Sequence, residues 1–66
     1  MRRRIEQTTY WLSRLTGEAR ERVETELVRQ ERALGKYLNG QMPKRTAKRI
    51  IERSHKRVAF IVAGVV

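Results

Sequence analysis

The residues best suited to chemistry are one histidine and a few glutamates. His55 is the only histidine of the chain, and Glu52-Arg53-Ser54-His55 reads Glu-x-x-His. Residues three apart share a face of a helix. In di-iron bundles such a pair joins a glutamate from another helix to hold metal. Two copies of the chain would bring two such motifs together, with Glu26 as the second carboxylate. Against this, Glu52 points away from the apolar stripe of its own segment, and Arg49, Arg53 and Lys56 crowd it with positive charge. One histidine cannot build a multi-histidine site or a triad in a monomer, and there is no cysteine to supply thiolates or disulfides. No glycine-rich phosphate loop, Walker sequence or Gly-x-Ser-x-Gly elbow occurs. Glu18, Glu21 and Glu24 lie along an exposed helix face without an acid–base partner. The expectation is a non-enzymatic protein with no metal and no cofactor.

The cations carry a clearer message. Sixteen Lys and Arg against seven acidic residues give a net charge of +9 in 66 residues. The surplus is concentrated after Pro43, where seven basic residues face one acidic one, Glu52. Charge at this density favours phosphate-bearing or acidic partners. The residues expected to meet an anionic partner are Arg45, Lys48, Arg49, Arg53, Lys56 and Arg57, together with Arg2, Arg3 and Arg4 of a basic arm at the N-terminus. Tyr10 and Trp11 follow that arm, an arrangement suited to a membrane interface or to base stacking, although ordinary packing of Trp11 is the favoured reading.

The elements that position these groups read as all-α. Ile5, Thr8, Leu12, Leu15 and Ala19 follow helical 3-4 spacing. Ala19, Val23 and Leu27 then step by four, and Leu27, Gln30, Leu34 and Tyr37 resume the pattern, with Leu38 broadening it. This predicts a long helix over 5–39. Leu15-Thr16-Gly17-Glu18 is its weak point, since Thr16 can cap a new helix there; the unbroken phase of the stripe favours continuity. Asn39-Gly40 followed by Pro43 predicts a stop and a turn over 40–43, from which a second helix folds back. Residues 44–57 read as a basic amphipathic helix, with Ala47, Ile50, Ile51, Ser54, Val58 and Ile61 on its apolar-to-small side. Residues 58–66 form an apolar tail, open between helix, strand and the start of a longer segment; nine residues are too few to span a bilayer, which takes about 20.

The expected fold is thus one small domain over 1–66, an all-α helical hairpin of a long helix and a shorter basic amphipathic helix with an apolar C-terminal run. Its apolar interface is expected to use Leu12, Leu15, Val23, Leu27, Leu34, Leu38, Ile50, Ile51, Val58, Phe60, Ile61 and Val62. A chain this short buries little surface by itself, so the stripe is expected to meet a second copy or a larger protein. The order basic then apolar along 44–66 favours an accessory or adaptor protein at an anionic membrane surface or in a membrane-associated assembly, on the cytoplasmic face. Two alternatives remain. One is a helical oligomer that binds nucleic acid without sequence preference, since no helix-turn-helix or zinc-finger pattern is visible. The other is a small inhibitor or assembly factor docking on an acidic protein surface.

Overall fold

The computed structural model describes residues 1–65; Val66, the last residue of the expected apolar tail, lies outside them. Three helices account for nearly all of the described chain: α1 (Arg2–Arg14), α2 (Gly17–Leu38) and α3 (Lys44–Val65). The fold is all-α, as expected. The two-helix outline is corrected in four places, each with a physical reason.

The first is the break at the weak point. Leu15 and Thr16 are extended, at φ −96°, ψ 157° and φ −134°, ψ 166°, and Gly17 follows at φ +63°. Only glycine takes that conformation without strain, so Gly17 redirects the chain and α2 starts there, with Glu18 in its first turn. Thr16 occupies the N-cap position without a side-chain capping bond. The stripe keeps its phase across the break because Leu15 still enters the core, beside Val23, Val58 and Val62.

The second correction is at the N-terminus: Arg2, Arg3 and Arg4 belong to α1 rather than to a separate arm. The third is at the other end, where α3 runs without interruption through the expected boundary at 57/58. The fourth concerns the apolar run, which is not buried all round. Val58 and Val62 are core, while Ala59, Phe60, Ala63, Gly64 and Val65 are exposed.

The turn between α2 and α3 closes as its residues dictate. Gly40 sits at φ +74°, its N–H bonds the carbonyl of Tyr37 at 3.1 Å, and the Gln41 N–H bonds that of Lys36 at 2.8 Å. This pair of bonds is the Schellman arrangement, which satisfies the last carbonyls of a helix. The Pro43 carbonyl then accepts the first bond of α3, from the Ala47 N–H at 3.1 Å.

From the turn, α3 returns along α2, so that Gln30 meets Ser54 and Glu26 meets Arg57. A 22-residue helix is about 33 Å long at roughly 1.5 Å per residue, which matches the 36 × 16 × 15 Å outline of the molecule. α2 and α3 share the largest interface, and α1 lies against both. Its start is tied to α3 by Arg4 and Glu52, and its end packs Trp11 and Leu12 on the core cluster.

The buried set is small and mixed. Leu15, Val23, Ala33, Ala47, Ile51, Val58 and Val62 are joined by four polar residues, Thr8, Glu26, Gln30 and Ser54. Leu12, Leu27, Leu34, Ile50 and Ile61 of the expected interface are half-buried. Leu38 and Phe60 are corrected outright, at 58% and 82% exposed. Leu38 sits in the last turn of α2, at the edge of an open hollow beside α1, and Phe60 lies on the side of α3 opposite Val58 and Val62.

Candidate functional site

The outward face of α3 brings most of the expected cationic residues together. Arg45, Arg49 and Arg53 step by four and Lys56 follows by three, so their side chains lie along one side of the helix. All four are exposed, and Lys48 flanks them. The buried residues Ala47, Ile51, Ser54, Val58 and Val62 hold this face outward by occupying the opposite side. One helical turn past Lys56 the same line reaches Phe60, at 82% exposure the most solvent-facing large apolar side chain of the core-to-surface series. Phe60 is flanked by exposed Ala59, Ala63 and Gly64. The face is therefore cationic for about three turns and apolar at its end.

Two of the expected cations are committed elsewhere. The Arg4 Nε donates to Glu52 Oε1 at 3.3 Å, which draws Arg4 away from solvent and pins α1 to α3. The Arg57 Nε donates to Glu26 Oε1 at 3.0 Å. Arg2 and Arg3 are exposed on the first turn of α1, well apart in sequence from the α3 row. Trp11 is half-buried against the core and stacks edge-on with Tyr10, centroids 5.4 Å apart at 78°. The Arg14 guanidinium lies 5.1 Å from the Tyr10 ring centroid. Trp11 is thus committed to the fold, while Tyr10 stays half exposed beside it.

The Glu-x-x-His motif resolves into an electrostatic cluster. The Arg4 hydrogen bond holds the Glu52 carboxyl below its usual range, helped by the charges of Arg4, His55 and Lys48 and opposed by burial. Burial pushes the His55 pKa down, the positive charge of Arg4 adds to this, and Glu52 opposes it. Glu26, considered as a metal-binding partner, lies in a different network. Among the described residues no group of three or more His, Asp or Glu side chains converges as metal ligands would.

That second network was not legible as a unit. Ser54 donates to Glu26 Oε1 at 2.8 Å, within 3.2 Å of the Glu26 carbonyl as well, and accepts from Gln30 Nε2 at 3.0 Å. Arg57 reaches the same carboxylate oxygen, and Arg29 approaches it at 3.6 Å. Gln30 and Ser54 are fully buried, and Gln30 Oε1 has no hydrogen-bond partner among the described residues. The available signal was the presence of polar residues inside both apolar stripes, Glu26 and Gln30 on one and Ser54 on the other. Such groups, when buried, need each other.

No helix of the described residues is long and apolar enough to cross a membrane. No family model, curated protein or solved structure matches the chain.

Proposed function

We propose that the protein is a non-enzymatic accessory or adaptor protein that lies on an anionic membrane surface through the outward face of α3. The observation that carries this is the single line Arg45, Arg49, Arg53, Lys56, Phe60, four cations and then an 82% exposed phenylalanine on one side of one helix. Each cation near an anionic leaflet contributes about 1 kcal/mol, decaying within a Debye length. Inserting Phe60 contributes about 1.5–3 kcal/mol if its ring leaves water completely. A basic face with an apolar end suits a surface that has phosphates outside and acyl chains beneath. Phosphate alone, as in a nucleic acid, uses the cations and leaves Phe60 in water.

Deleting the apolar run is not a usable test, because Val58 and Val62 belong to the core. Point substitutions are. Phe60→Ser touches an exposed side chain and should weaken co-sedimentation with anionic liposomes about tenfold or more, given the transfer energy of the ring. Arg49→Gln with Arg53→Gln should weaken it about thirtyfold at the 1 kcal/mol per charge above. Neutral liposomes should bind poorly. If the protein ignores anionic liposomes, or Phe60→Ser binds them as the parent does, the membrane reading fails. Tight, salt-sensitive binding of DNA or RNA that is unchanged in Phe60→Ser would replace it with phosphate recognition.

A further inference from the structure

α1 covers only one side of the α2–α3 pair. Its contacts run through Arg4 to Glu52, and a hollow between the helices is lined by Ile5 of α1 with Leu34 and Leu38 of α2. The opposite side of the pair carries no third helix. There a seam of three hollows follows the line where α2 meets α3. Met42 and Ile50 line the hollow nearest the turn, and Phe60 and Ile61 line the other two, the central one of about 370 Å³. The floor of the seam is therefore apolar.

Its rims are cationic. Arg22, Arg29 and Lys36 are seven residues apart and form one ridge of α2, and all three line these hollows. Arg57 faces them from α3. Two acids at the seam offset part of this charge by pairing with Arg22, Arg29 and Arg57, and Arg32 and Lys36 leave the rim of α2 net positive. Glu26 is buried and bonded to Ser54 and Arg57, and Glu18 is bonded to Arg22 at 2.9 Å. At the far end, nothing among the described residues lies within 4 Å of the position where a side chain on Gly64 would begin. A neighbouring backbone can approach closely there.

We infer that this seam receives an acidic amphipathic helix from a partner protein, which completes a four-helix bundle. An apolar floor beside a rim of net positive charge is complementary to a helix with an apolar stripe bordered by carboxylates. Ile50 to Gly64 spans fourteen residues of α3, about 21 Å at roughly 1.5 Å per residue, so a helix of similar length fills the seam. A second copy of this chain is a poor occupant, because a net charge of +9 sets rim against like-charged rim. A nucleic acid has no use for the Ile50 and Ile61 floor. Phe60 borders both the seam and the outward face of α3, so the two readings are separated by Arg22 and Lys36 of α2 on one side and Arg49 and Arg53 of α3 on the other.

The test uses a fluorescent peptide of about eighteen residues, with leucine at the two apolar heptad positions and glutamate at the two flanking ones. It is read by anisotropy, and by amide chemical-shift mapping on the full chain. Binding should weaken with salt and perturb Ile50, Ile61 and Gly64, and a matched peptide with lysine for glutamate should not bind. Arg22→Gln with Lys36→Gln should weaken the peptide about tenfold, the combined effect of two exposed charge pairs, while helicity and liposome binding stay at parental values. The inference is overturned if the acidic peptide does not bind, if the lysine peptide binds as well, or if the shifts map to Arg45, Arg49 and Arg53 instead. Concentration-dependent dimerisation that perturbs the same seam residues would assign the seam to a second copy and also overturn it.

Discussion

Ser54→Ala removes one oxygen atom from the middle of the molecule and leaves almost no cavity. Its effect is therefore electrostatic. Ser54 both accepts from Gln30 and donates to Glu26, and all three side chains are buried. Gln30 Oε1 is already unpartnered, so the substitution strands the whole amide. Stranding a buried polar group costs about 1–3 kcal/mol, and a hydrogen bond to a charged group contributes about 1.5–3 kcal/mol. Glu26 keeps Arg57, so the lower end of the second range applies. The sum is about 3 kcal/mol. A chain of this size has roughly 3–10 kcal/mol of stability in total, at 0.05–0.15 kcal/mol per residue. Urea unfolding followed by far-ultraviolet circular dichroism should show the midpoint falling sharply with unchanged slope. The double variant Ser54→Ala with Gln30→Leu should recover about 1–2 kcal/mol, because it removes the stranded amide and puts an apolar side chain in its place. If Ser54→Ala melts within about 0.5 kcal/mol of the parent, the level of an ordinary surface substitution, the buried network does not hold α2 to α3 as argued.

Two further outcomes follow from local conformation and from titration. Gly17→Ala should lower stability by about 1–2 kcal/mol, the cost of a left-handed residue with a side chain. The site itself has open space and φ is +63°, so Gly35→Ala, inside α2, should instead be neutral or stabilising and serves as the thermal-melt control. Acidification should destabilise the fold in two stages. The folded-state pKa of His55 lies below its unfolded value near 6.5, so its contribution is complete above that value and is lost as pH falls below it. The folded-state pKa of Glu52 is also lowered, so its contribution is present above its ordinary value of 4.5 and is lost as pH falls through the folded value. His55→Gln should abolish the first stage in a pH series of melting temperatures and leave the second. An unchanged first stage would mean that another group is responsible.

Helical periodicity was enough to read the fold class, the turn at Asn39–Pro43 and the buried apolar residues except Ala33. It was not enough to place the break at Gly17. The stripe of Ile5 to Leu38 keeps its phase, and phase carries no record of direction: Leu15 enters the core whether the helix continues or turns back. Extended backbone at Leu15 and Thr16 becomes favourable only because α1 then covers the Trp11 and Leu12 side of the α2–α3 pair, a tertiary gain invisible to local spacing. The exposure of Phe60 was obscured for a similar reason. Val58 to Val65 contains no polar residue to mark the solvent side, and only the buried positions Val58 and Val62, in register with Ile51 and Ser54, show which way α3 faces. The row Arg45, Arg49, Arg53, Lys56 was legible because charge and helical spacing alone define it.

The ion pairs decide how that row acts on its surroundings. Arg22 is paired with Glu18, and Arg57 with Arg29 nearby holds Glu26, so each of these acids cancels cations beside it on or against α2. α3 has one acid, Glu52, and it is matched by Arg4 from α1 rather than by a cation of α3. Lys44, Arg45, Lys48, Arg49, Arg53 and Lys56 consequently have no carboxylate within ion-pair distance among the described residues. Six such charges along one helix repel one another in the folded state, at a modest cost in stability screened by salt. An anionic surface of the kind proposed above would relieve that repulsion. Glu52, the one carboxylate of α3, is occupied by Arg4 from α1 and leaves the α3 row without an internal counter-charge among the described residues.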